Sequence, residues 1–280
     1  SRRIKNFETW YSKRPEYVER MLERSGKYLF YVVSEVEKRN MPMEIALLPM
    51  IESAYNPIAT SRKKAAGMWQ FIPSTGKIYG LKQNWWVDNR RNVMESTNAA
   101  LNYLEKLHKE FGSWELALAS YNAGEGRIGR AIKRNKRNKK RTSYYNLRIP
   151  RETKNYVPKL FAIKNIISNP EKYGLNLPKV KNQPYFESVK VDKNIDTQLI
   201  ARLAEISIEE FRLLNPQHKR PVINTKNAPQ SINLPYQNIH IFNFNLYSYD
   251  KPLSNWIAYN PKRKESVAQV AKKFGIDRKL

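Results

Sequence analysis

A mainly α-helical body followed by a small α+β unit is the fold class the sequence predicts. Apolar residues recur at three-and-four spacing among charged ones through the first part of the chain, the pattern of amphipathic helices. A stretch with three prolines at 170–184 then interrupts that pattern, and a strand, two short helices and a strand follow between 186 and 235. Hydrophobic residues make up 41% and aromatic residues 12% of the 280, a globular composition with room for one sizeable core and one or two small modules. The expected boundaries are 1–175 for the helical domain, 185–240 for the α+β unit and 250–280 for a further, incomplete module.

Taken in order, Val18, Met21, Leu22, Leu29, Val32, Val33 and Val36 form one apolar stripe over residues 16–39, as one long helix or as two broken near Gly26. Met41-Pro42 opens the next helix. It runs through Ile45-Ala46-Leu47-Leu48-Pro49-Met50-Ile51 into Glu52, with a kink expected at Pro49. Ser-Ala-Tyr-Asn-Pro at 53–57 is turn chemistry that stops it. Residues 60–76 mix small side chains with Trp69 and Gln70. Gly67 permits close backbone approach there, and Gln70 offers a donor and an acceptor to the amide or hydroxyl groups of a sugar. Residues 84–88 read as a loop with aromatic surface, and 94–111 as another amphipathic helix. A helix from Trp114 runs into the glycine-rich break Ser-Tyr-Asn-Ala-Gly-Glu-Gly at 120–126, which presents a Tyr hydroxyl and an Asn amide together. The dense basic run at 132–141 is expected to be a solvated, mobile loop, with a dedicated anion site as the alternative.

Charge and composition narrow the function. Lys and Arg number 51 against 25 Asp and Glu, a net charge of +26 that calls for a polyanionic partner: nucleic acid, anionic lipid or the carboxylate-bearing bacterial cell wall. The chain has no cysteine, which rules out disulfides and thiolate metal sites within it. His108, His218 and His240 are scattered as surface or packing residues are, and neither a metal nor a cofactor is expected. No apolar run approaches the roughly 20 residues needed to span a bilayer, and the start of the sequence carries no signal-peptide core.

Between Ile45 and Val87, Glu52 is the only acidic residue. A carboxylic acid walled in by aliphatic side chains has its charged form disfavoured and keeps a proton to donate near neutral pH. This stretch alone leaves two readings, a general acid or the commoner helix-end cap or ion pair. Further motifs decide between them. Glu52-Ser53, Gly67-Met68-Trp69-Gln70, Tyr121-Asn122-Ala123-Gly124 and Glu152-Thr153-Lys154-Asn155-Tyr156-Val157 resemble, in order and spacing, the motifs of the lytic transglycosylases of glycoside hydrolase family 23.

That resemblance implies a lysozyme-like, mostly helical catalytic domain with a groove for peptidoglycan glycan strands. It implies Glu52 as the single acid/base. Ser61, Met68 and Gln70 are implied as substrate contacts, and Tyr121, Asn122 and Tyr156 as the groups around the cleavage point. Two positions depart from the family pattern: Ser120 stands where Ala is usual, and Met68 where one branch often has Leu. The location it implies is the periplasm or cell envelope, with membrane association through an anchor preceding this sequence. Since substrate-assisted glycosidases need one carboxylate rather than two, the expected reaction closes a 1,6-anhydro ring on the muramyl sugar. A goose-type lysozyme with Asp88 or Glu125 as second acid is the enzymatic alternative, and a basic nucleic-acid-binding protein the non-enzymatic one.

In the second unit, 186–191 alternates like a strand, and 197–203 and 207–214 read as helices, the latter capped by Ser207 and stopped by Asn215-Pro216. Ile232-Asn233-Leu234-Pro235 closes it. This order resembles a divergent LysM module, a fold that binds N-acetylglucosamine-containing glycans. Ile195-Asp196 replaces the usual Gly-Asp after the first strand, so a purely structural domain is an equal expectation. Residues 256–259 and 265–276 resemble the first strand and helix of a second such module, a half too small to bury a core by itself.

Overall fold

The computed structural model describes residues 1–256, 259, 261 and 265–275. The helical body opens with α1 (Arg2–Ser12), whose first turn is capped by the Ser1 hydroxyl accepting from the Ile4 N–H. The apolar stripe of 16–39 forms two helices, α2 (Pro15–Ser25) and α3 (Leu29–Lys38), separated at 26–28. Proline at the first position of α2 needs no donor there. After Met41-Pro42 the chain takes a 3-10 turn, Met43–Leu47, and then α4 (Leu48–Ser53). The kink expected at Pro49 is instead a change of helix type: Pro49 lies in the first turn of α4, where its missing N–H costs nothing. Ala54 and Tyr55, both in left-handed backbone, end α4.

Helices α5 (Pro73–Ile78), α6 (Val93–Phe111), α7 (Trp114–Ala123), α8 (Glu125–Arg137) and α9 (Arg151–Ser168) complete the body. α7 packs between α6 and α9, and α1 lies along α9. Val32, Leu48, Trp69, Leu104, Val157 and Ile163 are among the fully buried side chains of the core they share.

The basic run at 132–141 departs from expectation: most of it is not a loop but the second half of α8. Ile128, Ala131 and Asn135 sit three and four residues apart on its buried face, and the Asn135 amide donates to the carbonyls of Arg141 (2.7 Å) and Asn146 (3.0 Å). A stripe this thin is hard to read among so many cations. The proline-bearing stretch also begins packed: Pro170–Tyr173 is a 3-10 turn and Leu175 is buried in the helical core.

In the second unit β1 (Phe186–Val191) pairs antiparallel with β4 (Gln230–Pro235), in register from Phe186 opposite Pro235 to Val191 opposite Gln230. The short β2 (Ile195–Asp196) and β3 (Val222–Ile223) pair likewise. α10 (Thr197–Leu203) and α11 (Ile208–Leu214) lie between, and Ser207 caps α11 by accepting from the Glu210 N–H. Ile200, Phe211, Ile232 and Leu234 form a second core, closed by Phe242 of α12 (Ile239–Tyr247), a helix that the sequence reading does not anticipate. Of the half-module expected at the C-terminal end, α13 (Val267–Phe274) is present with a capping box at Ser266 and Gln269. The expected strand at 256–259 includes Ile257 and Ala258, and the expected helix extends to Ile276. Those three residues lie outside the described ones.

The two units meet along a mixed seam, in which Phe186 and Leu214 of the second unit are buried with the core of the helical body and Phe186 packs 5.9 Å from the Tyr31 ring, while polar pairs surround them. Tyr28 donates to the Leu213 carbonyl (2.9 Å), and the Lys27 ammonium meets both Glu210 (2.6 Å) and Tyr185 (2.7 Å). The loop at 84–88 supplies the rest: the Asp88 N–H donates to the Gln217 carbonyl, the Trp86 carbonyl accepts from Lys219, and Arg220 lies 3.3 Å over the Trp85 ring. Among the described residues no helix is long and apolar enough to cross a membrane.

Candidate active site

A cleft of about 810 Å³ opens in the helical body, and its walls come from α1, the end of α4, the 61–75 segment, the end of α7 and the start of α9. Glu52 reaches it from the last turn of α4. Ser53 fixes that turn: its hydroxyl donates to the Met68 carbonyl (3.0 Å) and accepts from the Asn56 N–H (3.2 Å). The carboxylate is thereby tied to the 67–70 turn. Gly67 has φ +82°, and a Cβ there would stand 2.0 Å from the Arg90 carbonyl oxygen, so only glycine fits. Gln70 follows in left-handed backbone and donates its amide to the Gly67 carbonyl (2.8 Å), which leaves its amide oxygen without a protein donor among the described residues.

From the opposite wall, Tyr121 donates to the Trp69 carbonyl (2.8 Å). The Asn122 amide oxygen accepts from the buried Thr153 hydroxyl (2.9 Å). Tyr156 of α9 donates a short hydrogen bond to the Glu52 carboxylate. Burial is the main influence on Glu52 and pushes its pKa up to about 7, against the Tyr156 hydrogen bond and the Lys159 charge, with a small upward push from Glu152. Burial raises the Tyr121 and Tyr156 phenols well above their usual value, so both act as neutral donors. The Lys159 amine is lowered, mainly by burial.

Of the residues singled out in the sequence, Glu52, Ser61, Gln70, Tyr121, Asn122 and Tyr156 all line the cleft. Met68 does not. Its side chain is 1% exposed in the core, and only its backbone carbonyl serves the site, through Ser53. Asp88 and Glu125 are also elsewhere: Asp88 is paired with Arg90 (2.7 Å) and Glu125 with Lys106 (2.9 Å). The other acid in the lining is Glu152, which is exposed. Phe7, Arg62, Lys63 and Lys159 are lining residues that sequence reasoning missed. Lys159 stands three positions after Tyr156 on one helix, a spacing that marks it as a neighbour. Phe7 comes from α1, and nothing local announces it. Among the described residues no cluster of His, Asp or Glu is placed to hold a metal ion.

The family described as Transglycosylase SLT domain matches residues 33–144, and that described as Lytic transglycosylase MltD, LysM-like domain matches 185–251. Membrane-bound lytic murein transglycosylase D of Escherichia coli (strain K12) is 36% identical over 290 aligned positions, covering 99% of this chain. The chain spans 64% of that relative's length. A protein of Alteromonas sp. (strain M-1) named for tributyltin chloride resistance is 41% identical over 170 positions, 60% of this chain and 80% of that one. A solved structure of an inactive mutant of the lytic transglycosylase Slt from Pseudomonas aeruginosa aligns at 23% identity and TM-score 0.37, over 52% of this chain and 24% of that one.

Proposed function

The chain belongs to the SLT-domain lytic transglycosylases, with a LysM-like domain behind the catalytic one, and from that premise we propose that it cuts peptidoglycan glycan strands without water. The bond broken is the β-1,4 link between N-acetylmuramic acid and N-acetylglucosamine, and the product carries a 1,6-anhydromuramyl end. The observation that carries this reading is the partly buried Glu52 carboxyl of the cleft, pushed up to about pKa 7 and hydrogen-bonded to a phenol rather than to a second carboxylate.

Protonated Glu52 gives its proton to the glycosidic oxygen, and the N-acetylglucosamine side leaves as the alcohol. The muramyl 2-acetamido oxygen bonds to C1 as the old bond breaks, in place of an enzyme nucleophile. Glu52, now ionised and steadied by the Tyr156 hydrogen bond, takes the proton of the muramyl C6 hydroxyl. O6 then closes on C1 and releases the acetamido oxygen. Proton and charge return to their starting state with no water consumed. Gln70, Tyr121 and Asn122 hold the sugar and its acetamido group in the reactive geometry, and Ser61 contacts the same ring from the 61–75 wall.

In this reading residues 1–175 are the catalytic domain and 185–240 the core of the LysM-like domain, with 250–280 part of a further module. The place of work is the cell envelope, where the glycan is. Mass spectrometry of muropeptides released from purified sacculi is the test. Products lighter by one water than hydrolysed ones support it, and reducing muramyl ends overturn it in favour of hydrolysis with Glu152 positioning the water. Glu52→Gln abolishes release of either product and leaves the far-UV circular dichroism unchanged. Cleavage that persists in this variant removes Glu52 from the chemistry.

A further inference from the structure

We propose that the outer face of α8 and the turn after it, from Arg127 to Arg141, is a docking ridge for the peptide-stem carboxylates of the peptidoglycan whose glycan occupies the cleft. This deepens the reading above and rests on it for the identity of the polymer.

Four observations carry it. Every Lys and Arg side chain between 127 and 141 is exposed, and no acidic residue occurs from 126 to 151. Among the described residues none of these cations forms an ion pair, although the molecule has pairs elsewhere, Lys106 with Glu125 at the foot of the same helix included. The array is rigid: Ile128, Ala131 and Asn135 hold its inner face in the core, and the two Asn135 hydrogen bonds pin its far end. It starts at the cleft, because Gly124, the residue that opens α8, is itself part of the cleft wall.

Like charges fixed on neighbouring turns repel one another, and the repulsion is relieved by a polyanion that spans them. Arg127 and Arg137 are ten residues apart, about 15 Å along the helix, so the ridge meets several carboxylates at once. The cleft wall adds Arg62, Lys63 and Lys159 to the same field. The sugars of the backbone are uncharged apart from what their stems carry, so the stems are the anionic part of a strand leaving the cleft. Because the apolar face of α8 is turned into the core, the helix has none to lay into a bilayer, which favours the cell-wall polymer over lipid.

The test uses the full chain with Glu52→Gln, so that bound polymer is not cut. Pelleting with purified sacculi is compared for this protein and for the same protein carrying Lys133→Glu, Arg134→Glu and Arg137→Glu. A set with Gln at the three positions serves where charge reversal disturbs folding, and a thermal melt reports on both. The ridge predicts a loss of about tenfold or more in affinity for stem-bearing sacculi that shrinks as salt is raised. On glycan from which an amidase has removed the stems, and whose freed lactyl carboxylates are then capped as neutral amides, the gap between the two proteins closes. An equal loss on both polymers, or no loss on either, overturns the proposal. So does a loss confined to phosphatidylglycerol vesicles or to duplex DNA, which reassigns the ridge. If the unsubstituted protein forms no anhydro product, the catalytic reading fails by itself while the comparison of stem-bearing and stem-free polymer still reports on the ridge.

Discussion

In the proposed reaction Glu52 starts protonated and finishes the first half ionised, and a pKa of about 7 serves both states. The alkaline limb of kcat/KM is therefore expected near pH 7. Tyr156→Phe removes a hydrogen bond that favours the ionised form, so that limb moves to higher pH while kcat falls about tenfold or more. A limb that stays in place denies Glu52 the role of titrating acid. The same burial has a cost in stability. A carboxyl with a folded-state pKa above its unfolded value is best tolerated below about pH 4.5 and loses stability as pH rises toward 7. Glu52→Gln is thus expected to stabilise the fold by on the order of 2 kcal/mol at pH 8 and by little at pH 4, measured by urea unfolding at the two pH values. Ser120, where the family pattern has Ala, is fully buried and its hydroxyl finds no partner among the described residues. Ser120→Ala should raise stability by about 1 kcal/mol, and a loss instead would reveal a partner for that hydroxyl. Met68, the other departure, is a core side chain, which is why Met and Leu exchange there with little change in volume.

At the scale of elements, the cleft depends on short pieces held by backbone contacts. The 67–70 turn passes so close to Arg90 that a Cβ at Gly67 would overlap its carbonyl oxygen. Arg90 in turn donates to Asp88 and to the carbonyls of Lys64 and Phe71, knitting the loop at 84–91 to the cleft wall. Gly67→Ala is expected to lower stability by about 3 kcal/mol or more and to reduce kcat, because Gln70 and the Ser53 anchor move with the turn. Unchanged melting and activity would mean the turn shifts freely. Much of this layer was legible in the sequence. The stripe of α2 and α3, α6, and the capped α11 follow from period and cap residues alone. The helices α1, α5, α8, α9 and α12 were not. In α12 the run Ile-His-Ile-Phe-Asn-Phe-Asn-Leu alternates with period two, as a strand does, on either side of the Ile241-Phe242 step, and tertiary packing of Phe242 decides for helix. In α8 the inner stripe is short and the cations around it imitate a solvated loop. The motif residues of the site were readable because each lies in a local pattern. Phe7 was not, because its place in the cleft depends on how α1 packs along α9.

At the scale of the whole molecule, the seam between the two units joins buried Phe186 and Leu214 to the core of the helical body and adds particular polar pairs distant in sequence. Lys27 is held by Glu210 and Tyr185 together, and those hydrogen bonds keep its pKa raised although burial alone would lower it. Removing one side of a partly buried, hydrogen-bonded pair leaves the other charge poorly solvated, at a cost of about 1–3 kcal/mol. Tyr28, 1% exposed in the core of the helical body, points its hydroxyl across the seam to Leu213, so its burial and its hydrogen bond are coupled to the second domain. Close by, His218 of the second domain is bridged to Val87 of the first, and burial lowers its pKa to about 4. With a folded-state pKa below the unfolded value, it withdraws stability as pH falls from about 6.5 toward 4. At neutral pH the two domains are therefore expected to unfold in one calorimetric transition. Glu210→Ala combined with Tyr28→Phe removes two of the seam's anchors and should weaken that coupling, so that the transition broadens or splits with the second domain melting first, because it buries the smaller core. A double-mutant cycle on Lys27 and Glu210 then measures what the pair contributes beyond its separate halves. If the unsubstituted protein already melts in two independent steps, the seam holds the domains in contact without coupling their stability, and the ridge and the cleft owe nothing to the domain behind them.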